Sequence, residues 1–290
     1  VQQQQILILH CLISAYSLSV LSLEGSRSSE TQLLASGVLL SIASIAFSFA
    51  RPVDTLSDVL PLPSIFHPAL FLSVLGQLAI HASCMLGAVS MAKRAMGEAA
   101  ILEAVASARL ADKLYEAGEE EAAASAQRPN LLNTLVFLVE TAQQVAVMLV
   151  NYKGRPWMKG ATENPALLYS LVALAFGVTA ATLEIVPPLN EALGLVPLPT
   201  EAERLSLLGL LAATLLGTLL WDRLCVAIFA PKIFRCQLDE LASLSLSDFC
   251  GPNALRNLGI ALGFIFWLFF LDGNVLLLFP AYFIYRKMGA

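Results

Sequence analysis

Glu140 stands near the middle of an apolar run, 131–150, with Asn133 and Gln144 on the same helical face and Gln143 beside them. A carboxyl group surrounded by hydrocarbon is expensive, so it turns toward a protein interior or a cavity. Two chemistries fit: an ion or proton site, or a carboxylate hydrogen-bonded inside a helical bundle. In the first apolar run His10, Ser14 and Ser17 recur at intervals of four and three, which places them on one stripe of a helix. In the second run Gly37, Ser41, Ser44 and Ser48 do the same. Small residues at this spacing let backbones approach closely. The same stripes could also line a cavity for a substrate. His10, Ser14, Ser17, Ser41 and Ser44 are therefore the candidate cavity residues, with Glu140 and Gln144 as the intramembrane polar pair. Asp222 and Arg223 are adjacent rather than facing, and read as marking the interfacial end of their run, where an arginine can snorkel.

Other chemistry is missing from the pattern. Cys11, Cys84, Cys225, Cys236 and Cys250 form no CxxC pair, and read as reduced packing residues rather than a zinc or disulfide framework. His10, His67 and His81 are widely spaced, which gives no expectation of a metal. The chain has no GxxxxGK[ST], GxSxG or HExxH string and no DKTGT phosphorylation motif. No catalytic residue is assigned.

The elements that carry these residues follow from composition. Of 290 residues, 57% are hydrophobic and 13% charged, where a soluble chain carries about a quarter; mean hydropathy is +0.73. Much of the surface must face lipid. The net charge of −5 and the lack of a Lys/Arg cluster exclude nucleic acid as a partner. A bilayer core of about 30 Å needs roughly 20 apolar residues in a helix. Stretches 5–23, 33–50, 69–92, 131–150, 166–186 and 205–230 meet that need. Helices are the form lipid permits, since an open strand edge finds no hydrogen-bond partner there. The predicted fold is an all-α polytopic transmembrane bundle of six spans plus a C-terminal hydrophobic hairpin or extra span.

The connections differ in character. Residues 51–68 hold Pro52, Pro61, Pro63 and Pro68, which exclude a continuous helix. Residues 93–129 predict a solvated amphipathic helix, with Glu119, Glu120 and Glu121 among alanines. Residues 151–165 read NYKGRPWMKGATENP, and a further connection carries Pro187, Pro188, Pro197 and Pro199. The compact Lys153, Arg155, Lys159 group favours a cytosolic Val1 end under the positive-inside rule. In the tail, Leu258–Leu271 and Val275–Tyr285 flank Asp272-Gly273-Asn274, a turn signal that favours a re-entrant hairpin over one long helix. The chain opens without an initiator Met or a basic n-region, as a sequence starting part-way through a longer protein would.

Several strings carry a resemblance. ILILHCLISAYSLSVLSLEG resembles the fifth transmembrane helix of the endoplasmic-reticulum type V, subgroup A P-type ATPases. RPVDTLSDVLPLPSIFHP resembles their cytosolic connection after helix six, and NYKGRPWM the connection after helix eight. Asp222-Arg223 within LLWDRL, with Pro231-Lys232 beyond, resembles the end of helix ten. In that frame residues 1–50 are transport-core helices, 51–68 a cytosolic loop, 69–232 support helices seven to ten, and 233–290 an extension of unknown role. The family extracts mistargeted transmembrane helices from the endoplasmic-reticulum membrane, using ATP and Mg2+ through an aspartyl phosphate formed in a cytosolic domain. The resemblance therefore implies as partners the bilayer, transmembrane-helix substrates and an N-terminal half that bears the catalytic domains. A chain without the phosphorylated aspartate cannot itself hydrolyse ATP. Glu140 and the tail do not match the family pattern. Two rivals are a cation- or polyamine-transporting P-type ATPase and a non-catalytic structural membrane protein derived from a pump. The first two spans carry no carboxylate before Glu24, which argues against the first rival.

Overall fold

The computed structural model describes residues 2–48, 50–54, 57–126, 128–160, 164–243 and the single residue Gly263. Nine helices follow one another within them: α1 Gln2–Leu23, α2 Glu30–Ser48, α3 Pro68–Glu116, α4 Glu120–Ala126, α5 Leu131–Asn151, α6 Pro165–Thr182, α7 Pro187–Ala192, α8 Glu201–Phe229 and α9 Pro231–Ser243. The described residues hold no strand, only an isolated bridge between Pro52 and Met158. Each predicted span lies on a helix. α1, α3, α5 and α8 are long and apolar enough to cross a membrane. α2, with 19 residues, and α6, whose apolar stretch is Leu167–Thr182, fall outside that set. α6 is cut short because Glu184 turns to a φ of 55° just beyond it. The hairpin expected around Asp272 lies outside the described residues.

Local chemistry sets the helix ends. Asn130 caps α5 by accepting from the Asn133 amide at 2.9 Å, while the Asn133 side chain accepts from the Asn130 amide at 3.1 Å. Thr200 and Glu203 cap α8 in the same reciprocal way. His67 caps α3 through Nδ1, and Pro187 and Pro188 sit in the first turn of α7, where a missing N–H costs nothing. The prolines expected in a loop there therefore start a short helix. The amphipathic helix predicted after Lys93 is the second half of α3. Gly97, at φ 72° and ψ 170°, breaks the helical path between the two halves, a conformation that favours glycine. Beyond the break, Ala104, Ala108 and Ala111 form the buried face.

The interior is built around α5, whose residues are almost all buried. α3 packs most extensively on α8, and α5 touches α1, α3, α6 and α8. α1 rests mainly on α5 and α3, whereas α2 rests mainly on α6 and α5. The bundle has two distinct ends. At one, the 51–68 and 153–159 connections are joined: Lys159 N donates to Arg51 O at 2.9 Å and Trp157 Nε1 to Val59 O at 2.6 Å. At the other, ion pairs link Arg27 to Asp112 (2.5 Å) and Lys93 to Glu24 (2.7 Å), tying the α1–α2 connection to α3.

Candidate functional site

Two polar systems run through the apolar bundle. The first contains most of the residues singled out by spacing. His10 is buried at 6% exposure, and neither ring nitrogen has a partner among the described residues. It lines a small cavity with Leu40 of α2, Thr141 and Gln144 of α5, and Leu171 and Leu174 of α6. Glu140 is half-buried and accepts from Gln144 Nε2 at 3.2 Å. The hydroxyls of Ser14 and Ser17 lie beside its carboxyl group, although the Ser17 hydroxyl is directed to Ser14 O at 3.1 Å. The structure thus gathers His10, Ser14, Ser17, Glu140 and Gln144 where α1 meets α5.

Ser41 and Ser44 are not gathered there. Both are exposed on α2, and the Ser41 hydroxyl bonds back to Gly37 O at 2.8 Å, the usual resort of a serine in a helix with no neighbour to bond. Asn133 leaves the polar face of α5 as well, because its side chain completes the cap and donates to Arg27 O at 3.0 Å. Spacing alone passes over Tyr16, whose hydroxyl donates to Gln143 Oε1. Gln143 Nε2 in turn donates to His81 O at 2.8 Å, and His81 Nδ1 pairs with Thr214 Oγ1 at 3.3 Å. A hydrogen-bonded chain therefore crosses from α1 through α5 and α3 to α8.

The second system was missed by sequence reasoning. Ser73, Gln77 and His81 recur every four residues on α3, and Thr214, Thr218 and Asp222 do so on α8, all fully buried. The stripes face one another in opposite directions. Asp222 accepts from Ser73 Oγ at 2.7 Å and pairs with Lys153 Nζ at 2.5 Å. Gln77 donates to Asn151 Oδ1 at 3.2 Å and accepts from Asn151 Nδ2 at 2.9 Å. Asp222 is 0% and Lys153 10% exposed. Arg223, read as a snorkelling residue, lies 3.8 Å from Asp222 and donates to Gln237 of α9 at 2.6 Å. Desolvation holds the Lys153 ammonium below the ordinary lysine pKa, with Asp222 opposing that shift and Arg223 adding to it. The spacing signal was present in the sequence; the partner, 69 residues away, was not.

Among the described residues no group of three or more His, Cys, Asp or Glu is close enough to hold a metal. The polar systems can orient helices, pass a hydrogen-bond pattern between them and present donors and acceptors to a molecule between α1 and α2.

No protein-family model matches the chain. Its sequence is 37% identical over 196 residues, 68% of its length, to the endoplasmic reticulum transmembrane helix translocase of Schizosaccharomyces pombe, covering 15% of that protein. It is 33% identical over 204 residues (69% of the chain, 14% of the relative) to the corresponding translocase of Aspergillus fumigatus. With a probable manganese-transporting ATPase of Arabidopsis thaliana it shares 35% identity over 232 residues, 80% of the chain and 18% of that protein. The chain spans less than a fifth of the length of these curated relatives.

Proposed function

We propose, starting from the kinship of this chain with the C-terminal membrane region of the type V, subgroup A P-type ATPases, that it serves as the membrane part of an ATP-driven translocase that removes mistargeted transmembrane helices from the endoplasmic-reticulum membrane. It works there as a multi-pass component. The N-terminal half of such a pump supplies the aspartate, ATP and Mg2+; α1 and α2 form the part of the transport core contained here. The 51–68 connection receives motion from the catalytic domains, α3, α5, α6 and α8 support the core, and residues 233–290 are a separate extension.

The observation that carries this reading is the small cavity that α1 and α2 line together beside α5 and α6. Two apolar helices that flank a cavity, with His10, Thr141 and Gln144 in its lining, offer a mostly apolar surface interrupted by a few hydrogen-bonding groups. A transmembrane segment in transit presents the same mixture, since side chains that bond across helices are worth about 0.6–2 kcal/mol each. α3, α5 and α8 are packed through the buried network of Ser73, Gln77, Asn151, Lys153 and Asp222 and are suited to stay rigid while α2 and α1 move.

The test places a photo-crosslinking residue at Ser14 or Ser44 in a full-length pump containing this chain. A mistargeted tail-anchored substrate is expected to crosslink when ATP turnover is trapped, and a correctly inserted multi-pass protein is not. Failure to capture a helix at either position overturns the reading. Cation transport is favoured by one feature, Glu140 with Gln144 and the two serines beside it. That reading requires ATPase activity stimulated by a cation and lost in Glu140→Gln.

A further inference from the structure

We propose that the pocket enclosed by the start of α1, the 51–68 and 153–159 connections and α9 binds an anionic phospholipid by its headgroup. The pocket holds about 90 Å3 of free space, room for a phosphate-sized group with the rest of the lipid outside it. Its polar lining is Gln5, Lys153 and Gln237; Leu62, Leu70, Val226 and Ile233 supply apolar wall.

Two independent observations call for an acceptor-rich, negatively charged ligand. Gln5 is 1% exposed, and its Nε2 has no hydrogen-bond partner among the described residues. A buried donor without an acceptor is a standing cost that a ligand oxygen would remove. The charges also leave a surplus. One carboxylate, Asp222, lies between two cations, Lys153 at 2.5 Å and Arg223 at 3.8 Å, and Lys232 and Arg235 are exposed on α9. The facing elements carry the carboxylates Asp54, which lies 3.9 Å from Lys159, Asp58, Asp239 and Glu240, and the further cations Arg51 and Arg155. A phosphate fits that imbalance. The source is a lipid rather than a free anion, because the wall opposite the amides is hydrocarbon and the pocket lies at the ends of bilayer-crossing helices. Trp157 in its lining is the residue type that settles at headgroup depth. α9 closes the site through Ile233, packed with Val226 and Ala230.

Binding is read by native mass spectrometry and thermal shift on the purified, delipidated chain. It is offered phosphatidylserine, phosphatidylinositol or phosphatidylcholine, and glycerophosphoinositol as the headgroup alone. Anionic lipids are expected to bind about tenfold tighter than phosphatidylcholine and to raise Tm as a ligand must. Gln5→Leu removes the unpaired donor, so the lipid-free protein should be at least as stable as before, while anionic-lipid affinity falls about tenfold. Arg223→Gln, at the surface-facing side of the cluster, should lower it comparably and flatten its salt dependence. Equal binding of phosphatidylcholine overturns the proposal. So does unchanged affinity in both variants, or headgroup binding as tight as that of the intact lipid.

Discussion

Replacing Asp222 by alanine tests whether the α3–α8 seam is organised by charge. The carboxylate is fully buried, accepts from Ser73 and neutralises Lys153, whose own exposure is 10%. Without it, the acceptor left to an ammonium group in that position among the described residues is Val150 O, 3.1 Å away. Removing one member of a buried pair costs about 3–5 kcal/mol, because the other remains desolvated and alone. Lys153 retains a little exposure and can relax toward the headgroups, so the low end, about 3 kcal/mol, is expected. For a chain of this size that lowers Tm by about 6–12 °C, measured as loss of helical circular dichroism in detergent. The double variant Asp222→Leu, Lys153→Met should recover most of the loss, since apolar replacement of both partners is commonly neutral. A coupling energy below about 0.5 kcal/mol in the cycle of Asp222→Leu and Lys153→Met, made singly and together, would refute the reasoning. The pH dependence has a definite sign. Lys153 releases its proton below the ordinary 10.5 when folded, so between its folded and unfolded values the unfolded chain holds more protons, and stability rises with pH across that window. The rise should vanish in Lys153→Met.

Three further outcomes follow from packing and bonding. A Cβ on Gly76 would come 1.8 Å from Trp221 Nε1 and 2.2 Å from Cε2, and the indole is held by its bond to Leu72 O at 2.9 Å; Gly76→Ala should cost about 1–3 kcal/mol and shift tryptophan emission to the red, and an unchanged spectrum would contradict the contact. Gln143→Leu leaves the Tyr16 hydroxyl and His81 O without their partner, an expected loss of about 1–2 kcal/mol measured by thermal unfolding. Tyr16→Phe in that background should cost nothing more. Trp157→Ala removes the bond to Val59 O and the packing of the indole on the Ala69, Val226, Ala230 and Ile233 cluster, so limited proteolysis should cut the 51–68 connection earlier while leaving the helices intact.

The helices were legible because lipid leaves few alternatives: a run of about 20 apolar residues is a helix before any partner is known. Their caps went unread, although Thr200 with Glu203 three residues on is a recognisable pattern. What faces what was not legible. Ser41 and Ser44 stand three residues apart and Ser73 and Gln77 four, both helical spacings, yet the first pair lies on an exposed surface and the second is fully buried. Periodicity gives a face; the neighbour that covers it is set by contacts far along the chain. Lys153 was read for its charge, as an orientation signal, when its position one residue past the cap of α5 brings it to a carboxylate on α8. Gly97, in a stretch otherwise fit for one helix, was a readable warning that the path would change.

The ion pairs that tie Glu24 and Arg27 to α3 have a consequence for any movement of the first two helices. They clasp α1 and α2 at the end where the chain passes from one to the other. At the opposite end α2 runs into the proline-rich 51–68 connection. A clasp at one end makes the pair behave like tongs: the arms swing about the clasp, and the gap widens most at the far tips. Travel between them would therefore start from the side of that connection, and high salt, which weakens exposed ion pairs, would loosen the pivot before it loosened the arms.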